Sequence, residues 1–179
     1  MNYHLFQAVN GAAGRNDLVD DLFEWSAVWL IYVLAATAAI PVLAHLRHRR
    51  AALARVVASL GLAFAVGQAV AALSTEVRPF QTHPVHQLIP HAAGASLPSD
   101  HATAAFAVAF AVGAFLSRRC GVALSLIATV IGFARVWTGV HYPGDILVGA
   151  LIAAAAVATV GVVGRAYDRR TSRRLDTTV

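Results

Sequence analysis

The 179 residues contain no lysine; all 14 basic side chains are arginine. There is one cysteine, Cys120, which excludes an intrachain disulfide framework and any cysteine-rich metal site. Charged residues make up only 13% of the chain, about half the ~25% of an average soluble domain. Disorder, a coiled coil and an ordinary water-soluble enzyme are all poor fits to so little charge. A net charge of +5 would suit nucleic acid, but a chain this poor in charge cannot build a solvent-facing basic stripe, and no nucleic-acid partner is expected. The start lacks the basic n-region of a cleaved signal, and its first apolar run is too long for a signal-peptide core. No internal repeat or low-complexity linker is present.

What the chain has in excess is apolar sequence, at 58%. A spanning helix needs ~20 predominantly apolar residues. Such runs occur at Ser26–Ala44, Val56–Leu73, Cys120–Val140 and Ile146–Gly164, with a shorter one at Ala102–Ser117. Residues 2–13 place Leu5, Phe6, Val9 and Ala12 at helical spacing, which predicts a short interfacial helix. The expectation is an all-α integral membrane bundle: five transmembrane helices plus the N-terminal interfacial helix. Residues 1–166 would form one domain, and residues 167–179 a polar, basic, frayed cytoplasmic tail touching anionic lipid.

Eleven of the arginines fall in three clusters: Arg47, Arg49, Arg50 and Arg55; Arg118 and Arg119; Arg165, Arg169, Arg170, Arg173 and Arg174. Each follows the first, third or fifth run, so the positive-inside rule places all three in the cytoplasm. The N-terminus, residues 74–101 and residues 139–145 then lie outside. Trp25, Trp29 and Trp137 suit membrane-interface or packing positions.

Two of the remaining arginines sit on the outer side. Arg78 lies in Glu76-Val77-Arg78-Pro79-Phe80, and Arg135 lies inside the fourth run. An ionisable residue at membrane depth is a functional-site hypothesis, against which stands simple snorkelling to the headgroups. Downstream, His141 and Asp145 are four residues apart, about one helical turn, so the carboxylate can accept a hydrogen bond from one ring nitrogen and leave the other free. Pro98-Ser99-Asp100-His101 precedes the third run and reads as a helix N-cap, whose free N–H groups also suit an anion. Capping alone does not require His101. Two arginines, two histidines, a carboxylate, a serine and a helix N-terminus at one rim suit nucleophilic displacement at phosphorus.

Pro98-Ser99-Asp100-His101 followed by Arg135-x5-His141-x3-Asp145 resembles the second and third motifs of the type 2 phosphatidic acid phosphatase (PAP2) superfamily. Arg78-Pro79 resembles the end of its first motif. The opening Met-Asn-Tyr-His-Leu-Phe, the Arg-Pro-Phe, the histidine-rich loop and Pro-Ser-Asp-His resemble its bacitracin-resistance branch, the undecaprenyl diphosphatases. The likeness runs from residue 1 to about residue 164. It implies hydrolysis of a polyprenyl diphosphate lipid at the external face of a bacterial cytoplasmic membrane, recycling the cell-wall lipid carrier. His141 would be the nucleophile, Asp145 its orienting carboxylate and His101 the acid and base. Arg78, Arg135, Ser99 and the backbone at Asp100 and His101 would hold phosphate oxygens.

Neither metal nor other cofactor enters that scheme. The loop histidines His83, His86 and His91 match no standard zinc spacing, and contact with a second phosphate or local hydrogen bonding are the other readings. The chain departs from the superfamily at Ala71, where the first motif begins with lysine, and at Asp100, where most relatives carry glycine. Alternatives are a broader lipid phosphatase acting on phosphatidylglycerophosphate or phosphatidic acid, and a non-catalytic lipid-binding protein of the same fold.

Overall fold

The structure is a computed structural model that describes residues 2–176; Met1 of the opening motif and residues 177–179 lie outside the described residues. Seven helices are described: α1 Asn2–Asn10, α2 Asp17–His45, α3 Arg50–Leu73, α4 Pro79–Thr82, α5 Asp100–Phe115, α6 Arg118–Trp137 and α7 Pro143–Asp176. Between them an isolated antiparallel bridge joins Val77 to Ala95.

The helix starts follow local chemistry. Asn16 caps α2 by accepting from the Val19 N–H, and Asp17 and Asp20 place negative charge on its first turn. Ser99 and Ser117 cap α5 and α6 in the same way, through the N–H groups of Ala102 and Cys120. Pro143 opens α7, where its missing N–H costs nothing.

Helices α2, α3, α6 and α7 are each long and apolar enough to cross a membrane, and the protein is a multi-pass membrane protein. The fifth apolar helix, α5, is shorter than the other four, at 16 residues. At ~1.5 Å per residue it rises only about 24 Å. It can be short because it is central: α3, α6 and α7 pack around it, with α2 beside them. Ala102, Ala105, Ala107, Ala109 and Ala111 are buried along it, and these small side chains let its neighbours come close. Large apolar side chains such as Leu22, Val57, Phe64, Leu126, Leu151 and Val162 point outward instead, as lipid-facing helix surfaces require.

The C-terminal segment differs from its sequence reading. Rather than fraying after Tyr167, α7 runs unbroken to Asp176. An ion pair joins Arg55 of α3 to Asp168 at the start of this extension. The three arginine-rich segments gather at one end of the bundle. The opposite end holds the C-termini of α3 and α6, the N-termini of α5 and α7, and the α1 helix.

Helices α5 and α6 approach each other closely at Gly113 and Gly121. A methyl group added at Gly121 would lie 2.3 Å from the Gly113 Cα. Gly121→Val should therefore force the helices apart and destabilise the bundle by about 1–3 kcal/mol or more. Thermal unfolding in detergent reads this directly. Gly61→Val, at a site with no neighbour within 4 Å, should leave the midpoint unchanged.

Candidate active site

The turn between α6 and α7 carries the central histidine. Arg135 is the last basic residue of α6, and its carbonyl accepts from the N–H groups of both Val140 and His141. That reversal needs Gly139, at φ +80°, where a Cβ would approach the His86 carbonyl oxygen to 2.6 Å. His141 is thereby folded back under the loop between α3 and α5, outer by the positive-inside expectation, and left 2% exposed.

Asp145 lies one turn further on, fully buried. Its Oδ2 accepts from the Tyr142 N–H at 2.8 Å, from the Ser96 hydroxyl, and from His141 Nδ1 at 3.2 Å. This places the ring proton on Nδ1, so His141 Nε2 is left as a bare acceptor. Arg78 Nη1 donates to that Nε2 at 2.9 Å. Burial pulls the His141 pKa down to about 4; the Asp145 hydrogen bond opposes the shift, and the charges of Arg135 and Arg78 add to it. The imidazole is therefore neutral at pH 7, the form that carries a nucleophilic lone pair.

Arg78 contacts this ring, and Arg135 lies within electrostatic range of it. Arg135 is 3% exposed, with Nη1 donating to the Ala27 carbonyl at 3.3 Å. Its Nε and Nη2, and the Nε of Arg78, are buried with no hydrogen-bond partner among the described residues. Buried charged donors left unpaired are costly, and an anion between the two arginines would pair them. Burial also lowers the Arg78 pKa, while Asp100 and Asp145 pull it back up.

The other residues singled out by sequence divide clearly. His101 opens α5 within electrostatic range of Arg135, His141, His91 and Arg78. Ser99 is fully buried; its hydroxyl caps Ala102 and its N–H donates to the Asp145 carbonyl, which ties α5 to α7. Asp100 is exposed and turns to α3, where Gln68 donates to it at 3.4 Å. Ala71, the position of the superfamily lysine, sits in the last turn of α3.

Of the loop histidines, His91 stands beside His141, with ring centroids 6.0 Å apart at 80°. Burial lowers its pKa too. His83 instead stacks on Tyr3 at 3.9 Å, and the His86 ring lies against Gly14. Among the described residues no three His, Cys, Asp or Glu side chains are grouped to hold a metal ion. Ser96, Asn2 and Asn10 were not anticipated. Ser96 reaches Asp145 only because the outer loop folds over α7, and a serine in a polar loop carries no signal of that.

Residues 26–168 match the PAP2 superfamily. The chain belongs to that superfamily. The undecaprenyl-diphosphatase BcrC of Bacillus subtilis (strain 168) is 36% identical over 156 residues, covering 86% of this chain and 79% of that relative. A Bacillus licheniformis protein named bacitracin transport permease protein BcrC is 28% identical over 85% of this chain and 75% of its own. The crystal structure of Aquifex aeolicus LpxE superposes with a TM-score of 0.72 at 25% identity, covering 89% of this chain and 93% of that one. This PAP2 chain thus shares its fold with a solved structure over nearly its whole length.

The tautomer and charge of His141 are directly measurable. NMR of histidine labelled with ¹⁵N should show Nδ1 protonated, Nε2 bare, and a titration midpoint near 4. A midpoint near the ordinary ~6.5 would mean that the ring is hydrated and not held as described.

Proposed function

We propose that this chain hydrolyses undecaprenyl diphosphate to undecaprenyl phosphate and inorganic phosphate at the external face of a bacterial cytoplasmic membrane. The observation that carries the reading is His141 held at Nδ1 by Asp145 with its Nε2 facing Arg78, and guanidinium N–H groups nearby with no partner among the described residues. The name of the Bacillus subtilis relative supports the choice of lipid.

In this mechanism the terminal phosphate draws Arg78 away from Nε2 and takes its place between Arg78 and Arg135. Backbone N–H groups at Asp100 and His101 and the Ser99 hydroxyl complete the oxygen contacts. His141 Nε2 attacks phosphorus while the bond to the bridging oxygen breaks, and His101, which takes up a proton from solvent as the anionic diphosphate binds beside it, passes that proton to the leaving lipid phosphate. Positive charge develops on the imidazole, and Asp145 stabilises it through Nδ1–H. Water then attacks the phosphohistidine, His101 takes its proton, and phosphate leaves. His91, beside His141, is placed to contact the second phosphate, whereas His83 and His86 pack on the N-terminal segment.

Purified protein in detergent with EDTA, offered undecaprenyl diphosphate, undecaprenyl phosphate and phosphatidic acid, tests the reading by phosphate release. The diphosphate should be hydrolysed fastest. His141→Ala should lower kcat by ~10³-fold or more, and near-normal turnover in that variant would end the phosphohistidine scheme. His91→Ala should cut the preference for diphosphate over monophosphate about tenfold, the weight of one charge-assisted hydrogen bond of ~1.5 kcal/mol. His86→Ala should leave that preference unchanged. Equal rates on every lipid would instead favour a broader lipid phosphatase.

The external placement follows from the arginine-rich end of the bundle facing the cytoplasm. In a Cys120→Ser background, a cysteine at exposed position 93 should react with impermeant reagent from outside, and one at position 48 should not. The reverse pattern would put the site in the cytoplasm.

A further inference from the structure

The turn that presents His141 is short and hangs between two helix ends. Both ends are held by the same small helix. At the α6 end, Asn10 is 3% exposed and its amide is engaged three ways. Nδ2 donates to the Trp137 carbonyl at 2.7 Å and to the His86 carbonyl at 2.8 Å, and Oδ1 accepts from the His86 N–H at 3.0 Å. The Trp137 carbonyl is one of those that a helix C-terminus leaves unpaired, so Asn10 caps α6 from outside.

At the α7 end, Asn2 Oδ1 accepts from the Gly144 N–H at 2.9 Å, one of the free N–H groups of the first turn. Its Nδ2 donates to Glu76 in the outer loop at 3.3 Å. Between the two asparagines, Phe6 is 1% exposed and meets Tyr142 edge-on, with centroids 5.5 Å apart. Helix α1 therefore grips the residue before the turn, the residue after it and the side chain next to His141. It precedes the residues that match the superfamily.

We propose that α1 is a clamp that holds the His141 turn in register, with Asn2 and Asn10 as positioning residues for the reaction. The proposal rests on His141 being the nucleophile. None of the hydrogen bonds of Asn2 or Asn10 goes to His141 Nε2, Arg78 or Arg135, so the clamp acts first on where the nucleophile stands. A displacement of about 1 Å at a reacting atom can cost up to ~10²-fold in rate.

Two variants open the clamp from opposite sides. Asn10→Ala unpairs the Trp137 carbonyl and both His86 backbone groups. Gly144→Ala leaves α1 untouched, but its new methyl would lie 2.9 Å from Asn2 Nδ2 and 3.1 Å from Asn2 Oδ1, which pushes the amide off α7. Alanine is the better helix former at that position, so this variant keeps α7 intact and carries the test if Asn10→Ala does not fold. Gln7→Ala, on the exposed face of α1, is the control.

In both clamp variants, amide hydrogen exchange over residues 138–145 should rise at least about tenfold. With undecaprenyl diphosphate, kcat should fall ~10- to 100-fold while KM stays within about threefold. Unchanged exchange in both folded variants overturns the clamp whatever the activity. Faster exchange with unchanged kcat, or a raised KM alone, overturns the positioning role. If the wild-type protein releases no phosphate from any lipid, the assigned reaction falls, and the exchange measurement still decides whether α1 holds the turn.

Discussion

A buried carboxylate is costly unless it collects hydrogen bonds, and in this protein that demand organises the end of the bundle that holds the site. Asp145 is fully enclosed; its Oδ1 has no partner among the described residues, and its Oδ2 draws in the Ser96 hydroxyl from the loop between α4 and α5, the Tyr142 N–H and the ring of His141. Each such bond to a charged acceptor is worth ~1.5–3 kcal/mol, and losing one leaves part of the charge unpaired. The loop, the turn and the first turn of α7 are therefore not free to move independently. Ser99, whose N–H donates to the Asp145 carbonyl, adds the start of α5 to the same assembly.

The same packing explains why the histidine is chemically useful. In water an imidazole is partly protonated near neutral pH. Enclosed beside two arginines, His141 loses its proton down to about pH 4, and the Asp145 bond decides which nitrogen keeps the remaining one. Desolvation wins over the carboxylate's attraction because the ring is almost wholly out of water. The arginines in turn tolerate their burial poorly, with N–H groups that find no partner among the described residues.

Small side chains make the geometry possible further down. The alanines of α5 and the Gly113–Gly121 contact bring α5 and α6 together. Since the bundle is tight, the start of α5, the end of α6 and the start of α7 converge at one end, where Ser99 bonds to Asp145 and the Arg135 carbonyl to His141. At the opposite end, Arg55 lies across Gly164 and pairs with Asp168 where α3 and α7 meet beyond the apolar run.

Fold class and the core of the site were legible in the linear chain because they depend on local quantities. Run length and hydropathy determine which segments suit lipid, the arginine clusters mark one end of the bundle, and the four-residue step from His141 to Asp145 dictates a one-turn contact. Arg78 and Arg135 stood out because charge is rare in so apolar a sequence. Long-range contacts carried no such mark. That Ser96 would reach Asp145, that His91 and not His83 or His86 would stand beside His141, and that Asn2 and Asn10 would grip both sides of the turn all depend on how loop and α1 fold over the helix ends. Those are pairings across 49 to 142 residues of chain. A polar side chain declares what it can bond to, but only the packed bundle, by excluding water, decides which partner it must take.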